Sequence, residues 1–351
     1  SVKALELVAY NEFVYHDVPR PVCRDDEVLI APRAVGICGS DAHGQDGSTG
    51  RRIPPVIMGH EAAGDIVDIG ARVSGLTVGM RVTFDSTLYC GECFYCRRGE
   101  INFCENRRVL GVSCDEYRQN GAFAEYVAVP GRGVYILPDD VSYRHAAMVE
   151  PLSIAVHAAE ITPHTAGDAA VVVGAGMIGL LLVQVLRATG YGTVIAVDID
   201  DRKLEMAGML GAEVTVNSRR DDVAAVVAEV SGGRGVRNAF DAVGIQNSFD
   251  TAVRSVRRGG NVTIIGNLAA TVEIPLQLIV TRQITVKGSN ASAGEYPACL
   301  ELIRTGAVQL DPLISAEAPM SEGAEWFRRL LRNEEGLIKV ILRPSDGAGE
   351  T

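Results

Sequence analysis

Four of the chain's eight cysteines, Cys90, Cys93, Cys96 and Cys104, fall within fifteen residues, separated by two, two and seven others. Thiols this close admit three chemistries: a disulfide staple, a catalytic metal, or a metal that only holds a loop. A second cluster, Cys38-Gly-Ser40-Asp41-Ala-His43, sets a thiol, a hydroxyl, a carboxylate and an imidazole within six positions. Beyond it, Met58-Gly-His60-Glu61 adds an imidazole and a carboxylate, and Met148-Val-Glu150-Pro151 supplies one more. A thiolate with an imidazole is a zinc donor pair, and a catalytic zinc takes three protein ligands and keeps a fourth position for water or substrate. Singly, each residue has a plainer role. Cys38 would be a buried thiol, Glu150 a charge near a helix N-terminus, and His43 a surface residue.

A third pattern is Ala169-Ala-Val-Val-Val-Gly174-Ala-Gly176-Met-Ile178-Gly179, an apolar strand running into Gly-x-Gly-x-x-Gly and then a helical segment. The first glycine permits the tight turn, the second lets a pyrophosphate approach the backbone, and the third lets helix and strand pack closely. Asp198 ends the next apolar run, about 20 residues on, where an acid binds the adenosine ribose. Asp198 would repel a 2′-phosphate, so the expected cofactor is NAD. Lys203 could flank that ribose, and Ile178, Ile265 and Gly266 complete the candidate cofactor contacts.

The elements around these residues divide the chain. The first 150 residues hold short β-branched runs, such as Glu27–Ala31, Asp65–Ile69 and Tyr126–Pro130, with frequent turn residues, the texture of an all-β unit. From there to about residue 288, strand-like runs alternate with helical segments. The runs are Ala169–Val173, Thr193–Asp198, Glu213–Val216, Val236–Asp241, Asn261–Ile265 and Gln283–Lys287. Such alternation makes a parallel sheet with helices on both faces. The tail carries helix candidates at Tyr296–Thr305 and Glu322–Arg332 and one strand, Leu337–Leu342, while Gly232-Gly233 and Gly259-Gly260 read as turns.

The 351 residues suit two domains, and 47% hydrophobic against 22% charged residues suits a folded rather than a disordered chain. The net charge of −11 argues against a nucleic-acid binder. No apolar run reaches the roughly 20 residues of a membrane span. The first residues, SVKALELVAYNEF, have no basic stretch followed by an apolar one, so a cytoplasmic chain with reduced thiols is expected. That favours metal over disulfides at Cys90–Cys104.

The Gly59-His60-Glu61 core, with Gly64, Gly70 and Val73 beyond it, resembles the zinc-containing alcohol dehydrogenase signature of the medium-chain dehydrogenase/reductase family. The Glu150-Pro151 form is similar to its polyol and threonine dehydrogenase branches. The resemblance covers essentially the whole chain. It implies a GroES-like β-barrel catalytic domain, residues 1–152 and 289–351 with a zinc lobe at 90–104, and an inserted Rossmann domain at 153–288. The active site would lie in the cleft between them. It implies two zinc ions per chain: a structural one on Cys90, Cys93, Cys96 and Cys104, and a catalytic one on Cys38, His60 and either Glu61 or Glu150. Asp41 would orient His60. Ser40 would accept the substrate's hydroxyl proton and pass it through the nicotinamide ribose to His43. Homo-oligomers, dimers or tetramers, are usual in the family.

The resemblance also bears on substrate. Sorbitol dehydrogenases usually have a Tyr where this chain has Gly44, and an Arg-Tyr pair where it has Ala291-Ser292. Lys287-Gly-Ser-Asn290 looks more like galactitol-phosphate-type enzymes. A polyol, sugar or sugar derivative, phosphorylated or not, is the expected small-molecule substrate. L-threonine or a butanediol is the alternative within the family, and a non-enzymatic NAD-binding protein the alternative outside it. Arg51 and Arg52 read as a solvated charge pair or as holders of a phosphate or carboxylate. His16, His145, His157 and His164 match no motif, and Cys23, Cys114 and Cys299 read as ordinary thiols.

Overall fold

The computed structural model describes residues 1–344. The chain groups into two compact units: Ser1–Glu150 with Tyr296–Arg304 and the residues from Leu310 on, and Pro151–Glu295 with Thr305–Gln309.

The first unit is built on a sheet with the strand order Val134–Ile136, Arg81–Phe84, Glu61–Ile69, Glu27–Gly36, Lys339–Arg343, Ile314–Pro319; Val127–Pro130 also pairs with Glu27–Gly36. All pairs are antiparallel except Ile314–Pro319 with Lys339–Arg343. A smaller sheet joins Val2–Ala9 to Glu12–Val18 and Val56–Ile57. Leu5, Leu7, Val28, Ile30, Phe84 and Phe123 fill the core between them. Inward-facing residues of this kind, drawn from strands far apart in sequence, supply most of the drive for the sheet to close over itself. Two registers matter for chemistry: Gly36 faces Glu61, and Ile341 faces Gly36. They bring Cys38, Glu61 and Lys339, which lie just past or within three different strands, to one place.

The second unit is a six-stranded, all-parallel sheet in the order Val214–Asn217, Val194–Asp198, Ala170–Val173, Val236–Asp241, Val256–Ile264, Thr285–Gly288. The order reverses between Ala170–Val173 and Val236–Asp241, the switch point of a doubly wound Rossmann sheet, and ligands bind outside the carboxyl ends of the strands there.

Two readings of the sequence need correction. The tail holds a second strand, Ile314–Pro319, whose Ser, Glu and Pro residues hide its pairing with Lys339–Arg343. Gly259-Gly260 is not a free turn but lies inside Val256–Ile264, where the register against Val236–Asp241 slips and Gly259 takes a positive φ of 67°. The glycines there absorb a bulge rather than a chain reversal.

Candidate active site

Cys38 caps the short helix Gly39–Gly44, while His60 and Glu61 open the strand Glu61–Ile69. Their ligand atoms all lie within 4.8 Å of one another. Gly36 makes room for this: a Cβ there would stand 2.3 Å from Glu61 Oε2. Glu61 is fully buried, and its Oε2 accepts from Lys339 Nζ at 2.5 Å, while its Oε1 has no hydrogen-bond partner among the described residues. A buried carboxylate oxygen without a donor costs free energy unless something positive meets it.

Asp41, also fully buried, stands behind His60, with Oδ2 3.3 Å from Nδ1. Nδ1 is thereby turned inward, and Nε2 is the nitrogen left to ligate. Burial alone would lower the affinity of His60 for a proton, but Asp41 and Cys38 beside it raise it well above the ordinary value. The pocket therefore asks for positive charge at this point. A thiol, an imidazole and a carboxylate oxygen around such a point fit a zinc ion, which displaces the protons.

Arg52 corrects the reading of a solvated loop pair. It is only 4% exposed, and its Nε and Nη2 both donate to Asp41 Oδ1, at 2.9 and 2.7 Å. Despite desolvation, the neighbouring His60 and Arg52 hold the Asp41 carboxyl down at about 2. Arg52 also explains Gly44, since a Cβ there would meet Arg52 Cγ at 2.9 Å, and a tyrosine would have to displace the arginine.

Ser40 and His43 share the helix Gly39–Gly44, three positions apart and so on one face. Both are exposed, and Ser40 Oγ donates to Cys38 Sγ at 3.2 Å. Glu150 does not join the three-donor cluster. It lies in the first turn of the helix Val149–Glu160 and accepts from Ser86 Oγ at 3.5 Å. Burial, with Glu61 and Asp85 nearby, pushes its carboxyl up to about 7.

The other four cysteines form their own group, again with all ligand atoms within 4.8 Å. Cys90 Sγ accepts from Cys93 N–H, and Cys104 Sγ from Cys90 N–H, each at 3.3 Å. The Cys90 thiol is lowered to about 6, first by the backbone N–H groups of Glu92 and Cys93. None of the four is in a disulfide. Four thiolates close a tetrahedral zinc site and leave no position for substrate.

In the second unit, Gly174 has a φ of +98°, a Cβ on Gly179 would strike Gly174 O at 1.8 Å, and the space beside Gly176 is open. The helix Met177–Ala188 starts there, its free N–H groups available to phosphate. Asp198 Oδ2 accepts from Ala175 N at 2.7 Å, and Oδ1 from Ile199 N and Asp200 N. The acid therefore stitches the glycine turn as well as facing a groove of about 750 Å³ lined by Gly174, Asp198, Ile199, Ser218, Arg219 and Val243. Ile178 and Lys203 are half-buried. Ile265 and Gly266 both donate their N–H to Asp241 O, which fixes them beside the turn at Val243-Gly244.

Sequence reasoning missed Lys339 and Arg219, and it named Arg52 without its partner Asp41. Lys339 carried one signal, a charge at the head of the apolar run Val340-Ile-Leu342.

Comparison with known proteins agrees with this chemistry. The alcohol dehydrogenase GroES-like domain pattern matches residues 24–139, and the zinc-binding dehydrogenase pattern matches residues 178–305. The chain is 34% identical to D-arabitol-phosphate dehydrogenase of Enterococcus avium, covering 95% of this chain and 94% of that one. It is 33% identical to sorbitol dehydrogenase of Bacillus subtilis, covering 98% of each. Among solved structures, an oxidoreductase of unknown specificity from Escherichia coli superposes with a TM-score of 0.93 at 29% identity, over 98% of this chain and 99% of that one. A zinc-binding dehydrogenase from Sinorhizobium meliloti bound to NADP gives 0.88 at 31%, over 98% and 99%. No helix among the described residues is long and apolar enough to cross a membrane. The chain belongs to the zinc-type alcohol dehydrogenases of the medium-chain dehydrogenase/reductase family: a GroES-like and Rossmann oxidoreductase that uses zinc and NAD(P).

Proposed function

We propose that this chain uses zinc and NAD to oxidise a secondary alcohol of a polyol, sugar or sugar derivative, phosphorylated ones included, to the ketone. The observation that carries the reading is the convergence of Cys38, His60 and Glu61 beside the exposed Ser40 and His43. Cys38, His60 and Glu61 are the zinc ligands in this reading, and Glu150 is a nearby acid outside the ligand set. Bound there, zinc supplies the Lewis acidity that makes an alcohol easy to deprotonate, and a nicotinamide supplies the hydride acceptor.

The chain's own residues do the rest. Asp41 and Arg52 fix the His60 ring. Lys339 holds Glu61 Oε2 and leaves Oε1 for the metal. Ser40 Oγ accepts the hydroxyl proton, and His43, on the same helical face, delivers it to solvent. Relatives named for D-arabitol phosphate and sorbitol support the substrate class, while Arg52 occupying the space beside Gly44 disfavours sorbitol itself. For the cofactor, Asp198 is held rigidly at the groove where a 2′-phosphate would sit, which favours NAD. Arg219 lines the same groove and is the cation that would reverse this preference.

The test is cofactor reduction, followed by absorbance, with NAD and with NADP across polyols, sugars, sugar phosphates, simple secondary alcohols and L-threonine. Turnover of one polyol or sugar class with NAD is expected. No turnover of any alcohol by enzyme carrying two zincs contradicts the reading.

A further inference from the structure

Arg107 follows the cysteine lobe by three residues, and its backbone N–H donates to Cys104 O at 3.2 Å, so the lobe itself sets its position. Its side chain is half-buried, with Nε shielded from solvent and without a hydrogen-bond partner among the described residues. Among the described residues, the side chain's one hydrogen bond runs from Nη2 to Thr87 Oγ1 at 3.5 Å, at the limit of what counts as one. A guanidinium is a planar fork of donors suited to a two-oxygen acceptor, and burying one without such an acceptor is costly.

The surroundings tie this cation to the active site. Its electrostatic neighbours are Tyr117, Asp85, Arg51 and Glu150. The segment Asp85-Ser86-Thr87 makes the link residue by residue: Ser86 reaches Glu150, and Thr87 reaches Arg107. Arg51, exposed and held by its carbonyl's bonds to Ser113 N–H and Arg52 Nη1, adds a second positive charge. Arg51 acts on Arg107 as a like charge, and an anion held by both would relieve that repulsion.

We propose that Arg107 and Arg51 bind an anionic group of the substrate, a phosphate or a carboxylate, borne away from the carbinol that is oxidised. The inference rests on the dehydrogenase reading above and names its substrate class. It also gives the four-cysteine lobe a task beyond fold: it places Arg107.

The test is steady-state kinetics of the zinc-loaded enzyme with NAD on three alcohols: a pentitol, the same pentitol as its terminal phosphate, and the corresponding aldonate. The wild type is expected to prefer one anionic substrate over the neutral one, and which one it prefers identifies the group. Arg107→Gln and Arg51→Gln should each lower kcat/KM for that substrate by about 10- to 100-fold, the range of a charge-assisted contact, mainly through KM. The neutral pentitol should be turned over as before, and Arg107→Lys should keep part of the preference. Arg72→Ala, an exposed arginine elsewhere on the unit, should change nothing. Turnover without preference for either anion overturns the proposal, as does equal loss on neutral and anionic substrates in Arg107→Gln, which marks a structural role. Silence on all three alcohols instead contradicts the dehydrogenase reading beneath it.

Discussion

The two candidate metal clusters of the first unit put the same donor chemistry to opposite ends. The lobe at Cys90–Cys104 gathers four equal donors from one short stretch, partly exposed, with backbone N–H groups as its support. The cluster at Cys38, His60 and Glu61 gathers three unlike donors from two separate segments. Its support is a set of buried charges: Arg52 on Asp41, and Lys339 on Glu61. A closed sulfur set can only hold chain. An open, mixed set backed by buried ion pairs can hold a substrate oxygen and tune what happens to it. Donor number and the depth of support, more than ligand type, separate scaffold from chemistry.

The sharpest way to break this contrast is to remove a donor from each side. Cys38→Ala or His60→Ala should lower kcat/KM by about a thousandfold or more, since Lewis-acid stabilisation is worth several kcal/mol, and should cost one zinc per chain. Zinc content and kinetics on the same samples check this. Between the two carboxylates, Glu61→Gln should cost the catalytic zinc, whereas Glu150→Gln should retain it; equal zinc loss would merge their roles.

Removing the buried support should have the next largest effect. Arg52→Gln and Lys339→Met should each weaken binding of the catalytic zinc by about 10- to 100-fold in a chelator competition, with the lobe zinc unaffected. Arg52→Gln should also show in acid. Asp41 has a folded value of about 2 against an ordinary 3.8. Its contribution to stability is therefore present above 3.8 and lost as pH falls through 2. Without Arg52 that loss should begin at higher pH, seen as an earlier acid-unfolding transition. Smallest of all, Cys93→Ala should cost the lobe zinc yet leave most turnover of a neutral alcohol, because the loss is local.

Much of this was legible in the sequence, and the pattern of what was not is instructive. Cys38 and His60 could be read as a pair because a thiol and an imidazole are distinctive donors, whereas the sequence left Glu61 and Glu150 as alternatives and only the fold sets Glu61 beside them. The nucleotide turn could be read because Gly174, Gly176, Gly179 and Asp198 lie within one strand-helix-strand unit. Lys339 could not, because it meets Glu61 across 278 residues through strand pairing that no local pattern encodes. Neither sequence reading of Arg52, a solvated charge or an anion holder, foresaw its burial, because that depends on Asp41 folding beneath it and on Gly44 leaving space. The strand Ile314–Pro319 was missed because its small and polar residues carry little strand preference and Ile314 pairs with Lys339, 25 residues on. Ligands announce themselves by type; the residues that hold them appear only with the fold.

The most direct test of the contrast is the zinc X-ray absorption spectrum of Cys93→Ala, in which the catalytic zinc alone should remain. One sulfur at about 2.3 Å with nitrogen and oxygen neighbours at roughly 2.0–2.2 Å is expected, in protein that still turns over a neutral alcohol. A sulfur-only shell, or full activity with no zinc bound, would contradict the assignment of chemistry to Cys38, His60 and Glu61.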